Sequence, residues 1–88
     1  SPDAAWSHFE SQFKQVHHDF TQLIAQQFPD LSNTERKVCV LIRSGLSGKE
    51  IANLLHIDYR SVEQYRFRIR KKLKLPAEVN LTTYILGM

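Results

Sequence analysis

The sequence predicts an all-α fold in one small domain, on three observations. Apolar residues recur at helical spacing along most of the 88 residues. Two Ser-x-x-Glu capping boxes, Ser32 with Glu35 and Ser47 with Glu50, mark helix starts. No run alternates apolar and polar residues for long enough to read as a strand. The predicted architecture is a four-helix domain holding a helix-turn-helix, preceded by an N-terminal amphipathic helical segment.

The first segment follows Ser1-Pro2, with Asp3 as its N-cap. Trp6, Phe9, Phe13, Val16, Phe20 and Leu23 are spaced 3, 4, 3, 4 and 3 apart, a heptad seam. The seam is short and rich in aromatics, which favours packing on the rest of the domain, with a dimer contact as the second reading. Val16-His17-His18-Asp19 marks an interruption, with a fresh helix starting at Asp19, whose spacing to Gln22 is that of a capping box. Pro29 closes the segment, because the residue before a proline is pushed out of the α region.

The second segment starts at Ser32, carries Val38, Leu41 and Ile42 on one stripe, and ends at Gly45, which tolerates the left-handed conformation. The third starts at Ser47, carries Ile51, Ala52, Leu54 and Leu55, and turns at His56. The fourth runs from the cap Asp58 to Lys74. Val62, Tyr65, Ile69 and Leu73 lie within about 80° of one another on it and form a core stripe. Pro76 prevents its continuation. Asn80 caps a last short helix from Leu81 to Leu86.

The third and fourth segments, about 48–67, meet the physical requirements of a helix-turn-helix. They are short and are joined by His56-Ile57-Asp58. Ala52 is the small residue where they touch, and Ile51, Leu55, Ile57 and Val62 fill the angle between them. In this motif the second helix enters the major groove of DNA.

Charge supports that reading. The net charge is +3, but Arg60–Lys74 holds seven Lys/Arg and one acid, a net +6 that leaves −3 on the rest. Such concentration favours a polyanion. The outward side of the fourth segment presents Arg60, Gln64, Phe67, Arg68 and Lys71, with Glu63 and Lys74 on the flank. Arg and Gln match guanine and adenine edges, Glu accepts from cytosine, and Phe meets a thymine methyl. Arg60, Glu63, Gln64 and Phe67 are therefore the base-edge candidates. Arg68, Lys71 and Lys72, with Lys49 and Ser61 near helix N-termini, are the phosphate candidates.

Leu31-Ser32 with Glu35, Ile42, Gly45-Leu46-Ser47, Lys49-Glu50-Ile51-Ala52, Leu55, Ile57, Ser61-Val62-Glu63 and Ile69-Arg70-Lys71-Lys72-Leu73 together resemble the LuxR/GerE-type helix-turn-helix. The resemblance covers about two thirds of the chain, from Leu31 to Leu86. It implies a four-helix domain that binds pseudo-palindromic DNA as a homodimer, with dimer contacts through Asn80–Leu86. The family commonly has Lys at the position of Glu63 and His at that of Tyr65. These departures bear on base preference and not on the fold. The stretch around Cys39, the Arg66–Leu73 run, Asn80-Leu81-Thr82 and the Trp6–Pro29 lead-in resemble one subgroup. Its members end large sensor proteins that carry β-propeller or tetratricopeptide modules.

The division that follows is 1–30 as a helical linker or dimerisation segment and 31–88 as the DNA-binding domain. The expected partners are double-stranded DNA, a second copy of the chain and an upstream sensor region. The start at Ser1-Pro2-Asp3, without Met, reads as a piece of a longer protein, and no secretory leader is visible. The domain is expected in the cytoplasm at the nucleoid, without membrane contact of its own, although the full-length protein can be membrane-anchored. No run approaches the roughly 18 apolar residues of a membrane span. Within DNA binding, the promoter-reading region of a sigma factor shares the Ser47-to-Ala52 pattern. From another class, a protein-interaction module built on the Trp6–Leu23 seam is the alternative.

Enzyme chemistry finds no phosphate loop and no nucleophile motif in the sequence. No metal or cofactor is expected: His8, His17 and His18 lack a second ligand set at zinc-like spacing. Cys39, the single cysteine, reads as a buried reduced thiol.

Overall fold

A computed structural model of the chain describes residues 2–88, apart from the side chains of residues 13–17. Five helices follow one another: α1 Pro2–Gln27, α2 Asn33–Arg43, α3 Gly48–Leu55, α4 Tyr59–Lys72 and α5 Leu81–Leu86. There is no strand among the described residues. Helix α2 is central, and α1, α3, α4 and α5 all pack on it. Its Val38, Cys39, Val40, Leu41 and Ile42 are all buried, so it has almost no polar face left after the first two turns.

Two expectations about α1 are corrected. Asp3 is not the cap: the helix already includes Pro2, and Asp3 lies in the first turn. Proline suits a first helical position, where its missing N–H costs nothing, and an acid there meets the positive end of the helix dipole. Nor does the helix restart at Asp19. Val16–Asp19 holds no Gly or Pro, and extending a formed helix is cheaper than nucleating a new one. The seam is partly redrawn too. Phe20 and Ile24 are buried in the domain core, and Leu23 is only half-buried. Trp6 and Phe9 are partly buried and pack against the core, with ring centroids 5.8 Å apart. The side chains of Phe13, Val16 and His17 lie outside what the structure describes.

The remaining starts and stops are made by local chemistry. At α2, Ser32 Oγ accepts from Glu35 N at 3.1 Å and Glu35 Oε1 accepts from Ser32 N at 2.8 Å. Gly45, at φ 87°, ends α2, with Leu46 N donating to Leu41 O at 3.1 Å. The Ser47 and Glu50 pair repeats the box at α3. His56 then takes the left-handed conformation at φ 55°, and Ile57 N reaches back to Ala52 O at 3.0 Å. Asp58 caps α4 by accepting from Ser61 N at 2.8 Å. Helix α4 stops at Lys72 rather than Lys74, because Lys74 is itself left-handed at φ 56°. Asn80 caps α5 through Thr83 N.

Polar ties between distant residues set the helices against one another. Lys72 Nζ lies 2.6 Å from Glu35 Oε1 and 3.1 Å from Asp30 O, joining the end of α4 to the start of α2. Arg43 donates to Ile85 O and Leu86 O at 3.1 and 2.7 Å, and its guanidinium lies 5.5 Å from the Phe20 ring. One side chain thus connects α1, α2 and the C-terminal carbonyls of α5. Arg70 donates to Val79 O and Pro76 O, closing the α4–α5 loop.

Burial alone would raise the pKa of Glu35. The hydrogen bonds from Lys72 and Ser32, with the Lys72 charge, outweigh it and hold the carboxyl below its ordinary value. A depressed folded pKa adds stability above the unfolded value of about 4.3. That stability is lost as pH falls through the folded pKa. Glu35→Gln should therefore lower stability at pH 7 by about 1–3 kcal/mol, the range for a hydrogen bond to a charged group. It should also flatten the fall in melting temperature below about pH 4.5, as read by thermal melts over a pH series. His56→Gly should raise the melting temperature by a few degrees. Glycine removes a left-handed strain of about 1–2 kcal/mol and gives back about 0.5–1 kcal/mol in chain entropy. Calorimetry of the two proteins checks this.

Candidate nucleic-acid interface

The surface in question is built by α3, the His56-Ile57-Asp58 turn and α4. Ala52 is buried where the two helices meet, and Ile51 and Val62 are fully buried beside it. Leu55, Ile57 and Tyr65 are partly buried against the same core. With Val62, Ile69 and Leu73 facing inward, the helical repeat puts Arg60, Gln64, Phe67 and Lys71 on the far side, inside a sector of about 60°. All four are exposed, and Arg68 is exposed beside them.

The seven cations of α4 and its end divide in two. Arg66 donates to Thr82 Oγ1 at 3.0 Å, Arg70 holds the α4–α5 loop, and Lys72 pairs with Glu35. These three donate to groups of the fold itself. Lys72, a phosphate candidate on sequence grounds, is thus engaged by Glu35 and Asp30 although its side chain stays exposed. Arg60, Arg68, Lys71 and Lys74 remain as exposed cations. The Arg68 guanidinium lies 5.5 Å from the Tyr65 ring and Lys71 Nζ 4.7 Å from the Phe67 ring. Each aromatic thus restrains a cation while leaving it in solvent.

Glu63 is exposed, and its carboxylate beside the Tyr59 hydroxyl pushes the Tyr59 pKa up. Tyr59 escaped the sequence reading. Its ring lies over the first residue of α3, so close that a Cβ on Gly48 would stand 2.7 Å from a ring carbon. Only a glycine followed eleven residues later by an aromatic could have hinted at it. Glu63 and Tyr59 line a cleft of about 560 Å³ together with Ser47, Gly48, Arg66 and Thr82. Lys49 is exposed in the first turn of α3 and Ser61 is half-buried in the first turn of α4. The Ser61 N–H donates to the Asp58 carboxylate at 2.8 Å. That backbone bond, and then the nearby Arg60 charge, keep the Asp58 pKa low.

Other chemistry has little to build on. Among the described residues no group of three or more His, Cys, Asp and Glu could hold a metal. The Cys39 thiol is buried, and its pKa is pushed up to about 12 by that burial, with the Glu35 charge adding to it. At neutral pH it is a thiol and not a nucleophile. No described helix is long and apolar enough to cross a membrane.

Comparison with known proteins agrees with the geometry. Residues 29–85 match the family described as bacterial regulatory proteins, luxR family. The chain is 35% identical over 78 residues to the uncharacterized response regulatory protein YgeK of Escherichia coli K12, covering 86% of the chain and 53% of YgeK. It is 36% identical over 55 residues to the probable transcriptional regulator ycf29 of Guillardia theta, covering 62% of the chain and 26% of that protein. It is 39% identical over 56 residues to the transcriptional regulatory protein TdiR of Thauera aromatica, covering 64% of the chain and 25% of TdiR. The chain thus spans from a quarter to about half the length of these relatives. No solved structure matches it. The match over residues 29–85, on a helix-turn-helix with an exposed basic α4, places the chain in the luxR family of bacterial regulatory proteins, DNA-binding regulators of transcription and not enzymes.

Proposed function

We propose that this chain binds double-stranded DNA sequence-specifically as the output module of a longer bacterial transcription regulator. Helix α4 lies in the major groove. Arg60, Gln64 and Phe67 meet base edges, with Glu63 at the flank, while Arg68, Lys71, Lys49 and Ser61 meet phosphates. Lys72 is left out of the phosphate set because Glu35 holds it. The observation that carries this reading is the outward sector of α4, where exposed donors stand together and no acid interrupts them.

Two copies act together on DNA. Leu86 is 49% exposed on α5, an apolar surface that the fold itself leaves uncovered. Pairing through α5 would set two copies of α4 about one helical turn apart on the duplex. Residues 31–88 form the binding unit in this reading, and the N-terminal segment 1–30 joins it to an upstream sensor region. The site of action is the cytoplasm.

Fluorescence anisotropy with a generic duplex at several salt concentrations tests the binding face. Affinity should fall steeply with salt, since each phosphate neutralised contributes about 0.9 to the log–log slope. Arg68→Ala with Lys71→Ala should reduce that slope by about 2 and weaken binding by tenfold or more. Equal binding by the double variant would reject this face of α4. Selection from a random duplex pool tests specificity: enrichment of one pseudo-palindromic sequence supports it, and an unenriched pool rejects it.

A further inference from the structure

We infer that Phe67 reads the C5-methyl group of a pyrimidine in the major groove, so that the preferred site carries thymine, or 5-methylcytosine, opposite the middle of α4. The inference rests on the proposed docking of α4 and adds the chemical class of base read there.

Phe67 is 58% exposed, more than Tyr59 at 48% or Leu86 at 49%, the other exposed large apolar side chains among the described residues. It makes no contribution to the core cluster. It stands in the outward sector among Arg60, Gln64 and Lys71, so the most exposed large apolar group among the described residues is placed where a duplex would lie. Lys71 Nζ, 4.7 Å from the ring centroid, covers one side of the ring and limits where it can swing. Glu63, one turn before Phe67, lines the cleft that Tyr59 and Gly48 border.

The major groove offers this ring a narrow choice. Purine edges and the cytosine and thymine polar atoms present donors and acceptors. A benzene ring would strip these of water and return no hydrogen bond. The C5-methyl of thymine is the one apolar group on a standard base edge. A methyl added at C5 of cytosine offers the same contact. Phe67 therefore selects for the methyl and against purine edges and unmethylated cytosine. A different use is conceivable on the same ground, since Phe67 also borders a shallow groove with Leu75 and Ala77 at the end of α4. That groove would suit a protein partner, but its rim carries Lys71 and Lys74 and lies in line with the basic face.

The test uses the best duplex selected from a random pool by the wild-type chain. Each thymine is replaced singly by deoxyuridine, which removes only the methyl. One position per half-site should weaken wild-type binding about three- to fivefold, the factor carried by one buried methyl-sized group. Phe67→Ala, checked for unchanged helicity by circular dichroism, should bind the thymine and uracil forms equally at that position. At that position 5-methylcytosine should bind the wild type better than cytosine by a similar factor, and the variant should not distinguish them. If no deoxyuridine substitution weakens the wild type, or if the variant keeps the same sensitivity, Phe67 is not a methyl reader. If the pool yields no preferred duplex at all, specific binding by α4 fails first and this inference falls with it.

Discussion

The rotation of α4 about its own axis is the constraint on which the rest depends. Val62, Ile69 and Leu73 are buried against the rest of the core, and Tyr65 completes their stripe. A helix cannot turn by one residue without exposing that stripe and burying cations, at a cost of several kcal/mol. The same packing that stabilises the domain therefore determines which side chains face outward. Function here is a consequence of phase: once the inward residues are fixed, Arg60, Gln64, Phe67 and Lys71 have no other place to point.

The basic charge of α4 does two separate jobs. Arg66, Arg70 and Lys72 reach backward to Thr82, the α4–α5 loop and Glu35, tying α4 to the elements behind it. Arg60, Arg68, Lys71 and Lys74 stay in solvent. The first group makes the second useful, because a helix clamped at its far end and along its flank presents its outward side chains in a defined orientation. Arg43 plays a related part between α1 and α5, touching the Phe20 ring and the last carbonyls of α5 with one guanidinium. It physically connects the N-terminal helix to the surface proposed for dimer contact.

The sequence carries most of the fold in plain view because the signals that start and stop these helices are local. Ser32 with Glu35, Ser47 with Glu50, Asp58, Asn80 and Gly45 act within one turn of chain, so their roles follow from spacing alone. The inward stripe of α4 is legible for the same reason. What the sequence conceals is what requires distant residues to meet. Nothing in the string links Lys72 to Glu35 or Arg70 to Val79, so internal cations look the same as free ones. The Tyr59 contact over Gly48 needs α3 and α4 to be folded together. The heptad count favours Leu23, whereas the angle at which α1 meets the core selects Ile24 instead. A histidine pair and an aspartate look like a break, yet the helix runs through them because no residue there lacks an N–H.

The most direct measurement is a map of backbone amide chemical shifts during titration with a duplex selected by the chain. The account predicts that the largest changes fall on α4 from Arg60 to Lys71 and on the first turn of α3 around Lys49, with Val38–Ile42 of α2 nearly unmoved. Changes centred on α1 or on the α4–α5 loop, with Arg60, Gln64, Phe67 and Arg68 unperturbed, would contradict it.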